Sequence, residues 1–227
     1  MEIRPIAYIR TQFPEKFGVP RQSGLASSLR GTIVFEPEFR NPDALRGLDG
    51  FTHLWLIWEF SANHGGGRSW QPTVRPPRLG GNLHMGVFAT RSPFRPNPIG
   101  LSCVMIDRVE SESAEGPVIH VKGADLMDGT PIYDIKPYIP YADAYPQAGA
   151  GYVDMLTSDR LDVVMPDHVR EVLKERQILA AVVEVLSLDP RPSYHDDPER
   201  VYGMSFSGIN IKFAVRDNIL SIRDIEI

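Results

Sequence analysis

Apolar and polar positions alternate in short runs over roughly the first two thirds of the chain. "RPIAYIRT" (4–11) and "GTIVFEP" (31–37) carry the β-branched and aromatic content of strands. "FTHLWLIWEFS" (51–61) is the most aromatic run, and its near-continuous apolar character predicts a central strand covered on both faces. "MGVFAT" (85–90), "GLSCVMIDRVES" (100–111) and "GPVIHVKGADLM" (116–127) are the next expected strands, followed by a turn-rich stretch over 128–151. Short strands with no long helical period between them point to a mainly β fold, a mostly antiparallel sheet or small barrel, rather than a βαβ array.

The period changes from Pro166. In "PDHVREVLKERQILAAVVEVLSLD" the positions Val169, Val172, Leu173, Ile178, Val182, Val183, Val185 and Leu186 recur at close to 3.6 residues and predict one or two amphipathic helices. "RVYGMSFSGINIKFAVRDNILSIRDIEI" alternates again and reads as a closing hairpin with "RDN" at its turn. The expected division is a β domain over 1–159 and a smaller α/β domain over 160–227.

Composition narrows the class. A chain of 227 residues with 42% hydrophobic content can bury a sizeable core, and its 19 glycines and 20 prolines lack any fibrous period. Cys103 is the single cysteine, which excludes an internal disulfide framework and suits a reducing cytoplasm. No run of eighteen apolar residues predicts a membrane span, and acidic Glu2 in "MEIRPIAYIR" argues against a signal peptide. The formal charge of −5 argues against a protein that coats nucleic acid, yet it leaves room for a local basic patch.

Such a patch is present. Between Glu59 and Asp107 the chain has no aspartate or glutamate, while Arg68, Arg75, Arg78, Arg91 and Arg95 fall there with His64 and His84. Guanidinium groups so placed can spread over solvent, pair with carboxylates from elsewhere, or converge on an anion. In "RSPFRPNPIG" Pro93, Pro96 and Pro98 fix three φ angles, so Arg95 and Asn97 sit on a backbone with little freedom. Established motifs are missing: "HGGGRS" lacks the lysine and hydroxyl of a Walker loop, no GxGxxG follows an early strand, and the six histidines form no HExxH. A metal site is therefore not expected, and Cys103 reads as a strand residue. A second unusual string, "DLMDGTPIYDIKPYIP" (125–140), holds the strong turn Asp128-Gly129-Thr130-Pro131, with Asp125, Asp128 and Asp134 each able to serve as acid, base or hydroxyl acceptor. These features alone fit an enzyme handling an anionic ligand, a noncatalytic RNA-binding barrel, or a hydrolase using paired aspartates.

Longer strings carry a resemblance. "EKFGVPRQSGL" (15–25), "LRGLDGFTHLWLIWEF" (45–60), "RPPRLGGNLHMGVFATRSPFRPNPIGLS" (75–102) and "DLMDGTPIYDIKPYIPYAD" (125–143) resemble the TrmO, or TsaA-like, family of S-adenosylmethionine-dependent methyltransferases acting on adenosine 37 of transfer RNA. "DPRPSY" (189–194) and "YGMSFSGINIKF" (202–213) are similar to the family's smaller C-terminal region. The resemblance implies a small β-barrel catalytic domain, a homodimer with its cofactor cleft near the subunit contact, and the anticodon loop bearing threonylcarbamoyladenosine as substrate. It also implies cofactor contacts from Pro20, Arg21, Gln22, Ser61, Arg95 and Asp128, Gly129, Thr130 and Pro131. Asp128 and Arg91 are then expected at the reacting centre, with Arg91 on the threonyl carboxylate, while Arg75, Arg78, Arg91 and Phe94 are expected on the RNA. Family members commonly carry histidine where this chain has Ser61.

Overall fold

A computed structural model describes residues 2–62, 70–76, 83–155, 160–192 and 197–227. The first eight strands are β1 (Ala7–Arg10), β2 (Arg30–Phe35), β3 (His53–Glu59), β4 (Thr73–Val74), β5 (Met85–Gly86), β6 (Ile99–Ser113), β7 (Gly116–Lys122) and β8 (Thr130–Pro137). Six of them close into a barrel in the order β1-β2-β7-β6-β3-β8, while β4 and β5 pair with each other. Every barrel neighbour is antiparallel. Hence β1, β3 and β7 run one way and β2, β6 and β8 the other, so the connections 11–29, 60–98 and 123–129 all emerge at one end.

Side-chain alternation fills the barrel. Ala7 and Ile9, Ile33 and Phe35, Leu54, Leu56 and Trp58, Val104, Ile119 and Val121, and Ile132 point inward and are buried, joined by Ala124 and Leu126 from the third connection. β3 alternates buried and half-buried positions, so only one of its faces is fully covered, unlike the expectation of two. "MGVFAT" forms just the two residues of β5 and then a tight turn over Val87–Ala89, because its only partner is the two-residue β4. The sixth barrel strand, β8, lies in the stretch expected to be turns. Its prolines sit near its two ends, where a missing N–H costs the ladder least.

The C-terminal part has β9 (Asp162–Val164), β10 (Tyr202–Phe206), β11 (Ile209–Arg216) and β12 (Ile219–Glu226) in one sheet of order β10-β11-β12-β9. A single helical turn, α1 (Pro140–Asp143), follows the barrel, and α2 (Asp167–Glu175) and α3 (Leu179–Ser187) are the two helices read from the 3.6-residue period. Asp217, at the expected "RDN" turn, has φ 54°, but the hairpin is part of a larger meander: Ser207 and Gly208, at φ 51° and 77°, make a second tight turn.

The C-terminal core is not built from its own residues alone. Phe13, Ala26 and Leu29, from the first connection, are buried among Val169, Leu173, Val182, Val185, Phe206 and Phe213. Phe13 meets Phe206 edge to face with centroids 5.1 Å apart, and Phe17 stacks on Tyr202 and Phe213. Gly18, with φ +92°, touches the same sheet so closely that a Cβ there would lie 2.4 Å from the Met204 sulfur. Phe13→Ala should therefore lower the stability of the whole chain by roughly 3–5 kcal/mol, read as a shift of the urea midpoint. A wild-type midpoint would show that the two cores do not depend on this ring.

Candidate active site

The barrel end that gathers the three connections contains a buried polar chain. Ser102 points inward from β6 and is 1% exposed. The Trp58 indole Nε1 donates to Ser102 Oγ at 2.9 Å, and Ser102 Oγ donates to Asp125 Oδ1 at 2.6 Å. The direction is fixed, because an indole N–H can only donate and the one hydroxyl proton must go to the carboxyl. Trp58 lies flat over Gly100, where a Cβ would sit 2.3 Å from the ring, so only glycine leaves room for the indole. Burial pushes the Asp125 carboxyl above the usual carboxylate range. The Ser102 hydroxyl, its own backbone N–H, the charge of Arg91 and the Ser23 N–H pull the other way.

β6 is longer than β7, whose last residue, Lys122, pairs with Met105. The edge of β6 beyond that point is covered by the first connection: Cys103 N donates to Ser23 Oγ at 3.2 Å, and Gly24 N donates to Gly123 O at 2.8 Å. The Ser23 hydroxyl thus does part of what a neighbouring strand would do. Next to it, Gln22 Oε1 accepts a hydrogen bond from Arg91 Nη1. Gln22, Ser23, Arg91, Ser102 and Asp125 form one cluster drawn from all three connections and from β6.

Arginines outside the acid-free interval are of two kinds, since Arg40 and Arg160 donate to neutral oxygens while others are ion-paired. Arg10 pairs with Glu115, Arg30 and Arg108 with Asp107, and Arg216 with Glu199. Arg75, Arg91 and Arg95 make no ion pair within 4.0 Å among the described residues, and each donates to a neutral acceptor. Arg75 Nε donates to His84 Nε2 at 3.0 Å. Arg95 Nη1 donates to the carbonyls of Thr90 at 3.0 Å and Ser92 at 3.4 Å, which folds the guanidinium against its own proline-stiffened loop. Phe94 stands exposed beside it at 47%. Arg78, with Arg68 and His64, lies outside the described residues.

The remaining expected positions fall around this cluster. The Asp128 turn is tied to the end of β1: Asp128 N donates to Phe13 O and Gly129 N to Ile9 O, both at 2.8 Å, and Thr130 N to Met127 O at 3.3 Å. Asp128 Oδ1 accepts from Thr11 N at 3.0 Å. Three backbone amides of the turn are therefore used within the chain, leaving the exposed carboxylate as the turn's outward group. Pro131 is buried in β8 and Ser61 is exposed just after β3. Pro20 and Arg21 line a cleft of about 380 Å³ against Val185, Leu188, Asp189 and Pro190. Asp134 is held by Lys136 at 2.8 Å on β8, away from the cluster. Asp125, only one of three carboxylates in the sequence reading, is the one the fold places beside Arg91. Its signal is its position directly after the strand run "VIHVKGA", where the chain turns back over the barrel mouth. Among the described residues no group of three or more His, Cys, Asp or Glu side chains is arranged to hold a metal ion.

Comparison with known proteins agrees with this architecture. The N-terminal domain of tRNA-methyltransferase O matches residues 8–144, and the TrmO C-terminal domain matches residues 158–227. The chain belongs to the tRNA-methyltransferase O family. A tRNA (adenine(37)-N6)-methyltransferase from Escherichia coli K12 is 41% identical over 223 residues, covering 95% of this chain and 94% of that one. A crystal structure of TrmO from Pseudomonas aeruginosa superposes with a TM-score of 0.79 at 31% identity, covering 100% of this chain and 98% of that one. A Pyrococcus abyssi protein named as a probable S-adenosyl-L-methionine-binding protein is 35% identical over 152 residues, 66% of this chain and 75% of that one. The mainly β barrel read from the sequence and the family are thus both established.

Asp125 also sets a pH dependence of stability. With its folded pKa raised, its favourable contribution is complete below the ordinary carboxylate value of about 4 and is lost as pH rises through the elevated one. Asp125→Asn should therefore gain stability relative to the unmutated protein as pH increases from about 4 to about 8, measured as the difference in thermal midpoints. A difference independent of pH would contradict the burial argument.

Proposed function

We propose that this protein transfers a methyl group from S-adenosylmethionine to N6 of adenosine 37 in tRNA, with the threonylcarbamoyl derivative of that base as substrate. The observation that carries the reading is the partner set of Arg75, Arg91 and Arg95. In a chain of net charge −5, these cations meet neutral acceptors rather than carboxylates, which leaves their charge available to an anion. The cofactor's carboxylate and the threonyl carboxylate each need such a partner, and RNA phosphates need more.

The residues present fit the cofactor. Arg95 stands over a rigid loop for the methionyl carboxylate, the Asp128 carboxylate suits a ribose hydroxyl or the amino group, and Pro20, Arg21, Gln22, Ser61, Gly129, Thr130 and Pro131 border the same barrel end. When bound, the cofactor supplies an electrophilic methyl on a sulfonium. The chain's own task is to hold N6 in line with that methyl and to remove the N6 proton. Arg91, kept in place by Gln22, takes the threonyl carboxylate. Arg75 and Arg78 take phosphates, and Phe94 stacks on a base of the single-stranded loop. Ile99, Leu101 and Met105 form an exposed apolar row on the outer face of β6, and we assign it to a second copy of the chain in a homodimer. No helix among the described residues is long and apolar enough to cross a membrane, and a tRNA substrate supports a cytoplasmic location in this reading.

Purified protein with S-adenosylmethionine should add one methyl group to N6 in tRNA carrying threonylcarbamoyladenosine 37, read by nucleoside mass spectrometry. Equal methylation of tRNA lacking that group would defeat the proposed recognition by Arg91, because a binding arginine gains nothing from an absent carboxylate. For Arg75→Ala, the slope of log affinity against log salt should shrink by about 0.7–0.9 for one lost phosphate contact, with cofactor affinity unchanged. An unaltered slope in filter binding would remove Arg75 from the RNA surface.

A further inference from the structure

Methylation of N6 requires a group that removes its proton, and the buried polar chain at the barrel mouth ends in a carboxyl. Asp125 combines three features that neither Asp128 nor Asp134 shares. It is largely buried, it is joined by Ser102 to the barrel wall, and it lies beside an arginine without pairing to it. Asp128 is exposed and its Oδ1 is committed to Thr11 N. Asp134 is tied to Lys136.

Resting on the methyltransferase reading, we infer that Asp125 is the proton acceptor of the reaction, with Ser102 and Trp58 as its positioning residues. Ser102 fixes Oδ1 by donation at 2.6 Å, backbone N–H groups of Asp125 and Ser23 also bear on the carboxyl, and Oδ2 is assigned as the oxygen that takes the proton. As the N6–methyl bond forms and the methyl–sulfur bond breaks, its electron pair stays on sulfur, and the N6 proton passes to Oδ2. Solvent later removes that proton and restores the carboxylate. Overall, a sulfonium and an N–H become a thioether, an N–CH₃ and one released proton. An acceptor works best with a pKa close to the working pH, and burial moves Asp125 in that direction. The charged group facing it is Arg91. The other named neighbours, Ser102, Ser23 and Trp58, do not titrate in the working range. Arg91 therefore links two tasks: its charge steadies the Asp125 carboxylate, and a threonyl carboxylate bound to it would weaken that help and make Asp125 more basic once substrate is in place.

The test uses the full-length protein and tRNA bearing threonylcarbamoyladenosine, with S-adenosylmethionine binding followed by calorimetry and kcat followed from acid to alkaline pH. The unmutated protein is expected to show an acid limb in its kcat profile. Asp125→Asn should lose about 10²–10⁴-fold in kcat, lose that limb, and bind cofactor within about twofold of the unmutated protein. Its thermal midpoint near neutral pH should not fall. Ser102→Ala, which removes a donor to the carboxylate, should move the acid limb to higher pH while retaining measurable activity. Asp125→Glu should restore part of the rate and the limb. A kcat retained in Asp125→Asn within about threefold, or a rate loss matched by lost cofactor binding with the limb unchanged, would overturn the assignment. An unmutated protein that methylates no tRNA would instead overturn the substrate reading on which it rests.

Discussion

The segment between β1 and β2 is the constraint on which the two halves of the molecule both depend. Phe13 and Leu29, near its two ends, are buried in the C-terminal core, and Phe17 lies on the aromatic face of Tyr202 and Phe213. Polar ties follow the same route, with Ser28 N and Oγ on the Glu184 carboxylate and Arg160 Nη2 on Leu25 O. Between these anchors the chain passes over the barrel mouth, where Ser23 holds the open edge of β6 and Gln22 holds Arg91. A loop of this length would otherwise lose considerable entropy on ordering. Packing its apolar residues into the neighbouring core offsets that cost, so the site's geometry depends on a sheet that contributes no side chain to the Arg91 cluster.

The same economy of partners explains how an acidic protein keeps a basic site. On the outer barrel wall, Asp107 gathers Lys122, Arg30 and Arg108, and its carboxyl is held below the ordinary range chiefly by the Lys122 hydrogen bond. Those cations share a carboxylate where they stand. At the mouth, the acid-free interval supplies arginines that find an imidazole, an amide oxygen and backbone carbonyls instead. Neutral acceptors orient a guanidinium without cancelling its field, so local potential and net charge become independent quantities.

Much of this was legible in the sequence, and the gaps have physical causes. Alternation marked five barrel strands and the two helices because each buries one face. β8 escaped because its composition is that of a turn, with Pro131 and Pro137 in eight residues, and its strand conformation comes from being gripped between β1 and β3. The acid-free interval showed where cations gather, but not what they would bond to. The family resemblance named the same end of the barrel that the antiparallel topology selects. Asp125 could not be singled out from Asp128 and Asp134, since its distinction lies in its place beside residues 23, 91 and 102, the last backed by Trp58, all brought together only when the barrel closes.

That distinction carries an energetic consequence. A buried carboxyl held by a hydroxyl and backbone donors, beside an arginine but not bonded to it, is less stable as an anion than the same group in water. A fold selected for stability alone would replace it with an amide or pair it fully with Arg91. Instead Arg91 is turned to Gln22, and Gly100 is kept bare so that Trp58 can reach Ser102. Trp58, Ser102 and Asp125 thus form a polar line inside an otherwise apolar barrel, satisfied at every donor named here yet costly at its last member. Local instability retained within a well-packed core is what a proton-transfer group requires, because a carboxylate fully satisfied by an ion pair has little tendency to take up a proton.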